Sequence, residues 1–143
     1  MITQAMCTSF KVGLLNGQFD FGSGTSQHFY IALYTSAANL SSATTAYSTA
    51  NEASGAGYSP GGQELSVSIT PTSSGTTAYL NFSDVTWNTT TITARGALIY
   101  KADGVTNPAI VVLEFGEDKQ TNAGDFVIQF PATDAATAPI QIA

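Results

Sequence analysis

Charge is scarce in this sequence. Four Lys or Arg and ten Asp or Glu among 143 residues make up 10% of the chain, against about 25% in ordinary soluble domains. The exterior must therefore be built largely from hydroxyl and amide groups, and such a surface repels neighbours weakly. The formal net charge is −6 and the pI is near 4.2. The cations Lys11, Arg95, Lys101 and Lys119 are dispersed, with no basic run to follow a phosphate backbone or an anionic membrane. Direct contact with nucleic acid or membrane is not expected. The single Cys7 excludes an intramolecular disulfide. The single His28 has no ligand set at metal-binding spacing around it and reads as a structural side chain. Long apolar runs are also missing: residues 109–113 are strand-sized, far short of a membrane span. The first 15 residues lack a charged start followed by an apolar stretch, so no signal peptide is expected.

What is present is a globular composition, 43% hydrophobic and 10% aromatic, which excludes a disordered chain. At this length it is one domain, able to bury roughly two-thirds of its unfolded surface. Ile2, Ala5, Met6, Phe10 and Leu14 recur at helical spacing ahead of Asn16-Gly17, which predicts a helix over residues 3–15. Residues 1–17 then form an N-terminal helical segment or arm, and residues 18–143 the main domain. Over 27–35, Phe29, Ile31 and Leu33 alternate with His28, Tyr30, Ala32 and Tyr34, a strand covered on both faces. Residues 36–62 form a long loop rich in Ala, Ser, Thr and Gly. Burial of Tyr47 and Tyr58 is expected to order it, with a helical turn at 45–51.

Strand patterns follow in close succession. Leu65, Val67 and Ile69 alternate, a five-residue turn is expected at 71–75, and Ala78, Leu80 and Phe82 alternate next. Val85 and Trp87 share a face, 90–101 reads as one long strand, and Asp103-Gly104 as a turn. Strands at 109–115 and 125–130 precede a final one holding Ile140 and Ile142. Seven or eight short strands with one N-terminal helix make the protein mainly β: a single antiparallel β-sandwich, jelly-roll-like domain or closely related barrel. The expected core is Leu33, Leu65, Val67, Ile69, Leu80, Phe82, Trp87, Leu98, Val112, Phe126 and Ile128.

Chemistry-bearing motifs are few. No Gly-x-Ser-x-Gly elbow occurs. Asp84, Glu114, Glu117, Asp118, Asp125 and Asp134 invite a carboxylate-pair or calcium reading, but residues 114–118 lack the ligand spacing of a calcium loop and read as a solvated turn. No catalytic, metal-binding or cofactor-binding residue is assigned, and the chain reads as a non-enzyme. Arg95 is the one charge inside its long strand, between Ala94 and Gly96, so it should meet a carboxylate, backbone carbonyls or an interface. Edges so poor in charge call for permanent cover in an assembly. The candidate assembly contacts are Ile2, Met6 and Phe10 of the N-terminal segment, Tyr47 and Tyr58 of the loop, and Arg95. Deletion of residues 1–10 is expected to weaken assembly while leaving the main domain folded.

One further signal lies in specific strings: Tyr34-Thr35-Ser36, Asn51-Glu52-Ala53-Ser54-Gly55-Ala56-Gly57-Tyr58, Gly61-Gly62, Gly75-Thr76-Thr77-Ala78-Tyr79-Leu80-Asn81-Phe82 and Thr86-Trp87. They continue with Thr93-Ala94-Arg95-Gly96-Ala97-Leu98-Ile99-Tyr100, Leu113-Glu114-Phe115-Gly116, Asp118-Lys119 and Phe126-Val127-Ile128-Gln129-Phe130-Pro131. Over about residues 10–142 the chain resembles a family of small virion structural proteins of tailed bacteriophages. The resemblance implies a non-enzymatic particle component, some such proteins serving as capsid cement or decoration. On that reading the protein is a homo-oligomer, a trimer at local three-fold positions, on the outer surface of the capsid against the major capsid protein. The alternative is a tail, neck or fibre-attachment component using the 36–62 loop.

Overall fold

From Phe29 onward several segments alternate apolar and polar residues, the period of two that places one face of a strand in a core. The computed structural model describes residues 1–131 and 135–143, which form ten strands and one short helix. In chain order these are β1 (Ala5–Met6), α1 (Thr8–Leu15), β2 (Phe29–Tyr34), β3 (Gln63–Leu65), β4 (Val67–Ser74), β5 (Thr77–Phe82), β6 (Val85–Thr90), β7 (Thr93–Lys101), β8 (Ala109–Gln120), β9 (Gly124–Ile128) and β10 (Ile140–Ile142). They assemble into a five-stranded sheet ordered β1-β8-β7-β2-β3, a three-stranded sheet β10-β5-β4 and a two-stranded sheet β6-β9. Every strand pair is antiparallel. The protein is mainly β with one short helix, as the alternation implies.

A chain of phenylalanines ties the layers together. Phe10 of α1 meets Phe19 edge-on at 4.8 Å and Phe21 at 6.1 Å between centroids. Phe21 in turn stacks on Phe29 of the five-stranded sheet at 4.4 Å and reaches Phe82 of the three-stranded sheet at 6.4 Å. On the far side, Trp87 of β6 packs between Tyr58 and Phe126. Of the expected core, Leu33, Leu65, Leu80, Phe82, Trp87, Leu98, Val112, Phe126 and Ile128 are buried. Each contributes about 1.5–3 kcal/mol of burial. Val67 and Ile69 are only half-buried, because β4 is an edge strand with register breaks on either side of Ile69.

Several sequence-based boundaries shift. The helix starts at Thr8, not residue 3: Ala5 and Met6 pair with Val112 and Val111 on the otherwise open edge of β8, and the Cys7 N–H donates to the Ile110 carbonyl at 2.9 Å. No helical turn forms at 45–51. There the backbone bonds to the chain leading into β8, through Ala109 N–H to the Thr45 carbonyl at 2.9 Å and Tyr47 N–H to the Asn107 carbonyl at 3.0 Å. The turn placed at 71–75 shrinks to Gly75-Thr76, since Ser74 already faces Thr77 across the ladder. Pro71 lies inside β4, at a register break on an edge strand, where the ladder does not require its missing N–H. The strand expected over 90–101 divides, with Thr90 ending β6 and Thr93 beginning β7. Finally, β8 continues to Gln120, carrying the supposed turn at 114–118 within it.

Candidate functional site

Two charges isolated in uncharged sequence organise the surface. The first is Glu52, the sole charged residue between Asp20 and Glu64. Residues 51–53 lie against the end of β2: the Ala53 N–H donates to the Leu33 carbonyl at 2.8 Å and the Thr35 N–H to the Asn51 carbonyl at 3.0 Å. From that position Glu52 Oε1 accepts the Tyr58 hydroxyl at 2.6 Å and the Gly61 N–H at 2.8 Å, while Oε2 accepts the Tyr47 hydroxyl at 2.7 Å. Tyr58 also accepts the Leu33 N–H at 2.9 Å. The Tyr100 hydroxyl donates to the Gly61 carbonyl at 2.7 Å and its ring stacks on Tyr47 at 4.6 Å. Tyr34 donates to the Ser48 carbonyl at 2.6 Å. Gly62 completes the lock, because at φ +78° a Cβ there would fall 1.8 Å from the Ile31 carbonyl oxygen.

This network fastens the 36–62 loop: Tyr58 is buried as expected, whereas Tyr47 is only half-buried and holds through its hydroxyl and its ring. Burial raises the pKa of Tyr58, Tyr47 and Tyr34 far above the ordinary phenol value, reinforced at Tyr58 and Tyr47 by donation to Glu52. Tyr100 is pushed up to about 12, chiefly by burial. These hydroxyls are held protonated, as donors that fasten a loop. Sequence reasoning named Tyr47 and Tyr58 but missed Glu52, although a lone carboxylate in a long neutral stretch is the signal that singled out Arg95.

The second isolated charge is Arg95. Gly96 pairs with Glu114 and Ala94 with Lys119, so residues 115–118 bulge opposite Arg95 alone. The bulge brings its carboxylates back over the guanidinium: Nε donates to Glu114 Oε1 at 2.6 Å and Nη1 lies 3.8 Å from Asp118 Oδ1. Glu114 also accepts the Gly116 N–H at 3.0 Å. The hydrogen bond from Arg95 holds the Glu114 pKa below its usual value and raises that of the guanidinium. A Cβ on Gly96 would stand 2.5 Å from the Leu113 carbonyl oxygen, so the neighbouring strand approaches closely beside Arg95.

The remaining candidates separate. Ile2 and Phe10 are buried in the chain's own core, together with Cys7, and Tyr58 is buried under the loop it fastens. Met6 is half-buried and lines a groove of about 890 Å³ whose walls include Leu113, Glu114, Phe115, Val127 and Phe130. His28 is exposed, its Nδ1 lying 2.8 Å from Glu64 Oε2 across the β2–β3 pair. Asp84 and Asp125 serve as local acceptors for the N–H groups of Phe130 and Thr89, and Asp134 lies outside the described residues. Among the described residues, no three His, Cys, Asp or Glu side chains gather where a metal ion could be held. No protein-family model, curated protein sequence or solved structure matches this chain.

Proposed function

We propose that this chain is a structural subunit of a tailed-bacteriophage virion, a non-enzymatic capsid cement or decoration protein. It sits on the outer surface of the head as a homo-oligomer, a trimer at local three-fold positions, and bridges adjacent major-capsid-protein subunits. The observation that carries this reading is a charge-poor exterior on antiparallel sheets whose outer strands have no further strand neighbour among the described residues. A protein with such edges gains from permanent cover. The net charge of −6 supports an outer position, since it disfavours contact with packaged DNA. The resemblance of the strings from Tyr34 to Pro131 to small virion proteins supplies the particle. The alternative is a tail, neck or fibre-attachment component, with the 36–62 loop, held in place by Glu52, as a contact element.

Cryo-electron microscopy of the virion, with quantitation of copies per particle, tests the reading. Density on the shell at three-fold positions and hundreds of copies are expected. A few copies confined to the tail vertex would overturn it in favour of the tail component.

A further inference from the structure

β9 keeps one edge without a partner. Among the described residues it pairs with β6 alone, and the hydrogen bonds around that pair show which peptide groups face which way. The Gly124 carbonyl turns toward β6, where it accepts the Thr90 hydroxyl at 2.8 Å, and the Phe130 N–H turns the same way, to Asp84 Oδ1 at 2.9 Å. Alternation along an extended strand then turns the peptide groups of Asp125 and Val127 outward. The partner strand agrees: Thr86 stands opposite Val127, and its carbonyl points away from β9 to accept the Gln63 side-chain amide at 3.0 Å. Asp125 and Val127 are exposed, and no group among the described residues takes up their outward N–H and carbonyl. This edge borders the groove of about 890 Å³. There Met6, Leu113, Phe115 and Phe130 pack on the core yet stay only half-buried, with Phe115 6.1 Å from Phe126 of β9 between ring centroids. A row of unpaired peptide groups beside an uncovered apolar strip is what one more strand completes, with main-chain bonds to β9 and alternate side chains on the strip.

We propose that this groove binds an extended segment of another polypeptide, which adds to the β6–β9 pair as a third strand. The segment has apolar side chains at every second position, because those that face the groove must lie on Met6, Leu113 and Phe115 while their neighbours point to water. It is flanked by Lys or Arg. The charged residues lining the groove are Glu114, Lys119 and Asp125, and Lys119 is already held by Glu117 Oε1 at 2.7 Å, so acid is in excess. A second copy offering its own β9 is a poorer occupant, since it brings the same acidic lining and a like charge of −6 against the first. A single strand is a small contact, and its binding is correspondingly weak and reversible. The proposal does not rest on the virion reading.

Amide NMR shifts of the full chain, titrated with the peptide acetyl-Lys-Val-Thr-Val-Thr-Val-Lys-amide to about 1 mM, are the test. The Asp125 and Val127 amides should move together with those of Leu113 and Phe115. The same peptide N-methylated at every Val and Thr cannot form the ladder and should bind at least about tenfold more weakly, as should a version with Glu in place of both Lys. Val127→Pro removes an outward N–H that the β6 ladder does not use, so it should keep the wild-type Trp87 emission and weaken the first peptide at least about tenfold. A first peptide that leaves those amides unmoved, either altered peptide binding as well as the first, or a chain that pairs with itself along β9 without peptide would overturn the proposal. The peptide comparisons use the wild-type chain, so they decide the matter even where Val127→Pro does not fold. No capsid enters the assay, so either result leaves the virion reading to its own test.

Discussion

The hydroxyl of Tyr58 donates to Glu52 Oε1 at 2.6 Å while accepting the Leu33 N–H at 2.9 Å. One buried side chain thus joins a strand of the main sheet to the carboxylate that gathers the long loop. Because the Tyr47 hydroxyl and the Gly61 N–H end on the same carboxylate, the loop is ordered by one acceptor group more than by its own apolar content.

Replacing that acceptor should be costly. Glu52→Gln keeps the shape but turns one oxygen into a donor facing a hydroxyl, leaving a part-buried donor unsatisfied; a loss of about 2–4 kcal/mol is expected. Tyr47→Phe, which removes one bond at a half-buried position, should cost about 1 kcal/mol. Trp87 is the one tryptophan and is 1% exposed, so its emission reports unfolding in urea directly. Equal midpoints for wild type and Glu52→Gln would show that the network does not fasten the loop.

The alternation of Leu33, Leu80, Phe82, Trp87, Leu98, Phe126 and Ile128 was legible because a two-residue period needs no knowledge of partners. The need of Arg95 for a carboxylate was legible for a similar reason, since a lone charge in a neutral strand demands compensation. What stayed hidden depends on distant pairing. Ala5 and Met6 become a strand only because β8, more than 100 residues later, offers an edge. Their spacing with Phe10 fits a helix equally well, so the pattern alone does not distinguish the two. The bulge at 115–118 was likewise invisible, because its acidic residues look like a turn until Ala94 is found opposite Lys119.

Alkaline pH should loosen the fold in a defined window. Burial raises Cys7 from 9.0 to about 11 and Tyr100 from 10.0 to about 12, and it moves Tyr34, Tyr47 and Tyr58 in the same direction. The folded state holds these groups protonated, so their contribution is complete below the unfolded values and is lost as pH rises through the folded ones. The urea midpoint should be flat up to about pH 9 and fall steadily between about pH 9 and 12. Phenolate absorbance of the buried tyrosines should appear together with unfolding. A midpoint unchanged at about pH 11 would contradict their burial.

Two glycines with positive φ should respond very differently to a methyl group. At Gly62 (φ +78°) the added Cβ meets the Ile31 carbonyl oxygen at 1.8 Å, whereas at Gly75 (φ +59°) nothing lies within 4 Å. Gly75→Ala then carries only the left-handed backbone penalty, about 1–2 kcal/mol. Gly62→Ala must in addition push the loop off β2, so a loss above about 3 kcal/mol is expected. Thermal or urea midpoints of the two variants give the comparison directly, and similar losses would mean that the loop does not cross Ile31 so closely.

The N-terminal segment yields the last prediction, and it reverses the expectation that residues 1–10 can be deleted with the main domain left folded. Phe10 and Cys7 are fully buried, Ile2 is 8% exposed, and Met1 N⁺ donates to the Ala38 carbonyl at 2.9 Å. Deletion therefore uncovers the edge of β8 that β1 pairs with and removes the Phe10 contacts to Phe19 and Phe21. Phe10→Ala alone should cost about 3–5 kcal/mol, a large part of the ~5–15 kcal/mol available to a domain, and the ten-residue deletion should leave the chain without a cooperative transition. Met6→Ser, at a half-buried position facing the groove, should cost well under Phe10→Ala. Urea titrations followed by Trp87 emission and far-ultraviolet circular dichroism separate the cases: a truncated chain that unfolds cooperatively near the wild-type midpoint would show that the segment is an arm after all.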